Sequence, residues 1–292
     1  MPMDPQAYII ERQRLWAERH GIRLGSSLRH ADSEEDRERG AKTRVYDLDD
    51  NLFEPLMPEA RREFEAGDGG ELGTESKDGN MYATHSSSAL CCNVFHYWRR
   101  IGQFGPVAQA CRVPSTGIRH LRFEAKHRIA DRFDRSPNLD VEIGYGGSSG
   151  LRASAIECKF GEPFGRDHQG LKAAYLEETR LWEDLPALRE LAVEISPDDR
   201  RFEYLHAAQL LKHILGLKNS YGKEGFRLLY LWYAVPGSQG ARHAQEIEEF
   251  AAYAVRDGIQ FQSLTYQQVI ARLAGDRESH RAYVDYMTER YF

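Results

Sequence analysis

Leu139-Asp140-Val141-Glu142-Ile143-Gly144-Tyr145 alternates apolar and polar side chains, Gly146 to Gly150 is glycine-rich, and Leu151 to Phe160 alternates again, ending Ile156-Glu157-Cys158-Lys159-Phe160. Two alternating runs joined by a short glycine-rich link predict a β-hairpin. Side chains alternate along a strand, so Glu157 and Lys159 share one face while Ile156, Cys158 and Phe160 point to the other, toward the core. Asp140 stands apart from Val141 and Ile143 in the same way, and pairing across the turn brings it near Glu157 and Lys159. Two carboxylates beside one ammonium suit a hard cation such as Mg2+, which keeps several waters, neutralises a phosphate oxygen and acidifies an attacking water. The same spacing also describes a plain ion pair between Glu157 and Lys159 on a solvent-facing strand.

Outward from the hairpin the pattern is α/β. A helix-rich stretch, Gly170 to Leu191, and a second, Glu203 to Leu217, lead to the β-prone Arg227 to Val235. A helix over His243 to Ala254, a strand over Ile259 to Leu264 and a helix over Tyr266 to Leu273 close the chain. Upstream, Leu121, Ala125, Ile129 and Phe133 recur every four residues, which predicts a helix over His120 to Phe133, broken at Ser136-Pro137. Between Arg112 and Arg135 seven Lys and Arg face three Asp and Glu, a surface able to meet phosphates or simply water. Ser86 to Trp98 opens on a serine cap and runs apolar to Arg99 and Arg100, predicting a buried helix. Pro5 to His20 and Pro58 to Glu65 read as helices, Gly21 to Thr43 as a polar surface loop and Gly67 to Asn80 as a mobile segment.

With 292 residues, 41% hydrophobic and 29% charged, the chain is long enough for at least one full core. Its net charge of -6 is unevenly spread: residues 1–80 hold 12 Lys and Arg against 19 Asp and Glu, the remainder 27 against 26. Residues 1–80 therefore read as an acidic N-terminal extension packed on a domain over residues 81–292. A balanced domain can still turn one basic face to a polyanion. No apolar run approaches the ~18 residues that cross a bilayer, and no basic-then-apolar segment opens the chain, so a cytoplasmic protein with no membrane partner is expected. Cys91, Cys92, Cys111 and Cys158 form no CxxC pair, and reduced thiols are expected.

Asn138-Leu139-Asp140 followed by Ile156-Glu157-Cys158-Lys159-Phe160 resembles the PD-(D/E)XK nuclease superfamily, in which an Asp on one strand and an ExK on the next bind metal. Three further segments resemble a prokaryotic restriction-endonuclease-like branch of it. They are His85-Ser86-Ser87-Ser88-Ala89-Leu90-Cys91-Cys92-Asn93, Glu162-Pro163-Phe164, and Gln209-Leu210-Leu211-Lys212-His213 on the following helix. The resemblance runs from about Tyr46 onward and departs from the named motif at Leu139, which stands where the family carries proline.

The resemblance implies a restriction-endonuclease-like fold, a mixed central sheet flanked by helices, and an Mg2+- or Mn2+-dependent endonuclease that hydrolyses phosphodiester bonds in DNA, in defence against foreign DNA. Asp140 and Glu157 bind metal, the Cys158 carbonyl completes the shell, Lys159 positions or activates the water, and Gln209 holds the site or a phosphate. An added acid from the helix before the first motif strand matches Glu124; Glu142, on the Asp140 face, is the rival, and Glu124 pairing with Arg128 at i+4 is the bland reading. A catalytically inactive nuclease-fold module that only binds nucleic acid is the alternative. A symmetric homodimer is the simplest arrangement for cutting both strands.

Other chemistries have less behind them. Gly146-Gly147-Ser148-Ser149-Gly150 fits GxSxG, yet a nucleophile elbow needs a helix after it, and a strand follows. Neither GxxxxGK[ST] nor HExxH occurs, and Asp47, Asp49, Asp50 and Glu54 miss the EF-hand spacing. The cysteines and the aromatics Tyr230, Trp232 and Tyr233 read as core.

Overall fold

The computed structural model describes residues 4–26, 41–74, 77–134, 136–147, 150–165 and 169–292. Most of the loop expected over Gly21 to Thr43, and Ser148 of the GxSxG turn, lie outside the described residues. In chain order the elements begin with α1 (Pro5–Arg19), β1 (Leu24–Ser26), β2 (Lys42–Val45), α2 (Pro58–Ala66), β3 (Gly73–Thr74), β4 (Lys77–Asp78), α3 (Ser87–Arg100) and α4 (Phe104–Ala110). The motif region follows as β5 (Ile118–Lys126), β6 (Asn138–Tyr145), β7 (Ala153–Lys159), α5 (Ala173–Glu177), α6 (Pro186–Glu194) and α7 (Ala207–Tyr221). The chain closes with β8 (Phe226–Trp232), α8 (Ser238–Arg256), β9 (Phe261–Thr265), α9 (Tyr266–Leu273) and α10 (Arg281–Tyr291).

β5 to β9 form one five-stranded sheet in sequence order. β5, β6 and β7 pair antiparallel, while β7–β8 and β8–β9 pair parallel. Parallel neighbours need long crossovers, which the stretches carrying α5 to α7 and α8 supply. The sheet is thus mixed and helix-flanked, the restriction-endonuclease-like arrangement that the motif resemblance implies.

Strand alternation sends each side chain to one of two cores. Val141, Ile143, Ile156, Cys158, Leu229 and Leu231 pack with Leu90, Cys91 and Val94 of α3, with Val269 of α9 and with Tyr283 and Met287 of α10. Ala155, Leu228, Tyr230 and Trp232 pack with Leu188, Leu191, Leu210, Leu211, Ile214 and Phe250 of α6, α7 and α8. Because β8 is covered on both faces, its sequence is almost unbroken apolar rather than alternating. The Ser86 hydroxyl accepts from Ala89 N at the start of α3, the cap expected from the serine cluster.

N-terminal residues enter the first of these cores: Ile9, Leu48 and Phe64 belong to the same buried cluster as Leu90 and Ile156. Arg290, 1% exposed, locks this region to the last helix. Its guanidinium donates to Gln13 Oε1 at 2.9 Å and Asn51 O at 2.8 Å, and lies 4.1 Å from the Trp16 ring centroid. The segment over Gly67 to Asn80, read as mobile, carries the β3–β4 pair and buries most of Glu71.

One expected element is of the wrong type. The helix read over His120 to Phe133 is a strand, β5, through Lys126, followed by irregular chain. The cause is arithmetic: residues four apart share a face in a strand as well as in a helix, so Leu121 and Ala125 fit either period. Glu124, with φ of +51°, interrupts the strand geometry locally. The stretch from Gly170 to Leu191 is broken into short helices, with α6 starting only at Pro186, and α10 had no counterpart in the sequence reading.

Gly216 sets the seat of α7. A Cβ there would meet His127 O at 2.6 Å, a backbone atom that cannot swing aside. We expect Gly216→Ala to lower stability by about 1–3 kcal/mol, read as a fall in the thermal midpoint; an unchanged midpoint would show that α7 has slack at this contact.

Candidate active site

The sheet opens at the site because the β6–β7 ladder stops early. Pairing runs from Gly144↔Ala153 to Val141↔Ile156 and goes no further. Asp140, the next residue out, therefore uses its side chain where the backbone no longer pairs, and its Oδ2 accepts from Cys158 N at 2.6 Å. The Lys159 carbonyl accepts from Tyr233 N, on the β8 side. Successive carbonyls of a strand point opposite ways, so that of Cys158 faces β6 and Asp140.

Glu157 is 1% exposed, and both of its carboxylate oxygens are engaged. Lys159 Nζ lies 2.7 Å from Oε1, and His213 Nε2, from α7, lies 2.9 Å from Oε2. The Glu157–Lys159 ion pair is thus present, but buried rather than solvent-facing. His213 lies in the Gln209-Leu210-Leu211-Lys212-His213 segment, and its partner across the layer has no signal in the sequence.

Charge is concentrated here. Burial, then the neighbouring Glu157, pushes the Asp140 carboxyl well above its usual range. Burial works in the same direction on Glu157, but Lys159 and His213 outweigh it and hold that carboxyl low. Burial opposes the charge on Lys159, yet Glu157 and Asp140 hold its ammonium protonated, above its ordinary range.

Glu124 belongs to the group although it stands on a strand rather than a helix. Its Oε2 accepts from Asn138 Nδ2 at 2.9 Å, and burial followed by the charge of Glu71 pushes its carboxyl up to about 7. It does not pair with Arg128, which contacts Asp131. Gly67 lets the Glu124 carboxylate approach the end of α2, where a Cβ would come within 2.6 Å of Oε2. Glu71 had not been singled out from the sequence.

Glu142, the rival added ligand, is committed elsewhere. Arg122 at 2.8 Å, His127 Nε2 at 2.7 Å and the Tyr221 hydroxyl at 2.9 Å surround its carboxylate. Burial would raise this carboxyl, but the His127 hydrogen bond and the Arg122 charge hold it down at about 2. Sharing a strand face with Asp140 is not sufficient to share its site.

A cleft of about 1110 Å³ adjoins the group, lined by Lys159, Asn138, Gln209, Lys212, Tyr204 and Tyr230 among others. Glu157 and Glu124 sit one contact further in, behind Lys159 and Asn138. Gln209 reaches the cleft directly, one helical turn before His213. Two other quoted segments serve as support. Glu162 Oε2 accepts from Phe160 N at the end of β7, and Phe164 packs edge-on to His243. Cys91 of α3 is buried and interacts with the Cys158 thiol beneath the motif strand.

Among the described residues no three His, Cys, Asp or Glu side chains are set closely enough to form a ready metal cage. The donors that interact are hard oxygens, the Asp140 and Glu157 carboxylates. That is a set suited to Mg2+ or Mn2+, which complete their shells with water and substrate. The burial and the Glu157 charge that push the Asp140 carboxyl up are what a divalent cation would offset.

No helix among the described residues is long and apolar enough to cross a membrane. No curated protein and no solved structure matches the chain. Residues 16–292 do match a family model described as Restriction Endonuclease associating with ARP. A match over that length, on a mixed sheet opened beside Asp140 and Glu157, places the chain in the family of restriction endonucleases associating with ARP.

Proposed function

We propose that the protein is a metal-dependent endonuclease of the PD-(D/E)XK kind, hydrolysing phosphodiester bonds in DNA, with a role in defence against foreign DNA. The observation that carries this reading is the meeting of Asp140, Glu157 and Lys159 at the edge of a cleft, inside a chain of a restriction-endonuclease family. Asp140, Glu157 and the Cys158 carbonyl would hold Mg2+ or Mn2+, with Glu124 as an added acid. The bound cation would supply charge neutralisation on the scissile phosphate and a more acidic water.

The chain's own groups divide the remaining work. Lys159 is held charged by its two acidic neighbours, which suits it to orient the water and stabilise developing negative charge, and not to remove a proton. His213 fixes the Glu157 carboxylate from the helix side, so the acid cannot rotate freely. Gln209, on the cleft wall, is placed to donate its amide to a phosphate oxygen. Phosphodiesters hydrolyse so slowly unaided that positioning and charge neutralisation are both required.

One observation favours the alternative, a nuclease-fold module that binds nucleic acid without cutting it. Both oxygens of Glu157 already have partners within the protein. Cutting requires one of those contacts to yield to the cation, whereas a binding module has no such requirement.

Incubating the full chain with supercoiled plasmid and Mg2+ separates the two. Cutting is expected, and Lys159→Ala should slow it by about a hundredfold or more; no cutting, or undiminished cutting by the variant, refutes the nuclease. Metal binding should also depend on pH in a defined direction. Glu124 titrates at about 7 and Asp140 above its normal range, so protons compete with the cation under acidic conditions. Mn2+ affinity measured by calorimetry should rise between about pH 5.5 and pH 8, with proton release on binding, and should be abolished by Asp140→Asn. A flat profile, or binding that survives Asp140→Asn, would remove these acids from the ligand set.

A further inference from the structure

Among the described residues, two ammonium groups that line the cleft form no ion pair with a carboxylate. Lys212 projects from α7 three residues after Gln209, and Lys172 immediately precedes α5 on a separate part of the chain. Both line the cleft that contains Lys159. Other basic groups of that lining are paired, Lys159 with Glu157 and Arg132 with Glu178. With the described residues, neither the Lys172 nor the Lys212 ammonium forms an ion pair or hydrogen bond.

Lys212 is half-buried, and the electrostatics register its exposure to a like charge. Burial lowers its proton affinity, Glu157 works against that, and Lys172 lowers it again. Holding a partly desolvated cation near a second one is unfavourable in the free protein. An anionic ligand would turn the same arrangement into a favourable one. The lining acids do not fill that role: Asp68 is held by Lys126, Glu162 accepts from the Phe160 N–H, and Asp134 is exposed to water. Lysines are point charges that suit a phosphate and carry no pattern for reading a base edge.

We propose that Lys172 and Lys212 jointly grip a backbone phosphate of the nucleic-acid strand next to the bond presented to Lys159. The inference rests on the nuclease reading and extends it to sequence-independent capture of one strand in this cleft. Through His213 and Lys212, α7 then holds the acid of the site and the strand to be cut from one rigid element.

The test is fluorescence anisotropy of labelled single strands of DNA and of RNA binding to the full chain in EDTA, across a series of NaCl concentrations. The slope of log affinity against log salt should fall in magnitude by about 0.7, the share of one phosphate, in the double variant Lys172→Gln/Lys212→Gln, with each single substitution taking part of that loss. The loss should be the same for different base sequences, and Lys212→Arg should restore the slope. Lys212→Gln should leave the thermal midpoint unchanged or raise it, since it removes a half-buried charge that has no ion-pair partner among the described residues. Equal losses on DNA and RNA assign the pair to phosphate alone; a loss on one polymer only adds sugar discrimination to the same grip. An unchanged slope in the double variant overturns the pair, and so does a lowered midpoint with an unchanged slope. If the wild type binds neither strand, the pair is overturned too, and plasmid cutting with Mg2+ then decides separately whether the nuclease reading stands.

Discussion

A carboxylate at the end of β7, withdrawn from water, lies between an ammonium on its own strand and an imidazole from α7, and the site depends on that three-way contact. An isolated buried carboxylate would be costly and would protonate. Glu157 stays ionised because Lys159 and His213 are there, and Lys159 stays protonated because Glu157 and Asp140 are there. Each charge is the condition for the next. Removing one member of such a group leaves another uncompensated, so its parts are not expected to contribute additively.

The same layer is organised by a second buried acid a short distance along the sheet. Glu142 draws Arg122 of β5, His127 from the chain after it and Tyr221 of α7 onto one carboxylate. Gly216 allows α7 to approach the His127 backbone closely enough for this to happen. One acid of β6 thus fastens the helix layer, and the other, Asp140, is left at the frayed end of the ladder with an oxygen to spare. Division of labour between two acids on one strand explains why only one of them stands with the Glu157–Lys159 group.

Much of this arrangement is legible in the sequence where local chemistry decides it. The hairpin follows from strict alternation and a glycine-rich turn, and the start of α3 from a serine cap before an apolar run. Asp140, Glu157 and Lys159 come together because strand parity and hairpin pairing leave few alternatives. β5 is not legible, since a four-residue recurrence cannot separate a strand from a helix. The roles of His213, Glu71 and Glu142 are not legible either, because each depends on a partner in another element, chosen by packing that no local pattern records. Glu124 is a mixed case, with the right residue named on the wrong kind of element.

Arg290 adds a constraint of another sort. Its guanidinium reaches Gln13 and the carbonyl of Asn51, so the core beneath α3 closes only when α10 has joined the N-terminal helices. During synthesis the hairpin with its acidic residues leaves the ribosome well before α10 does. A nascent chain therefore carries the acidic residues of the hairpin before it has the last helix that packs into the core beneath their sheet.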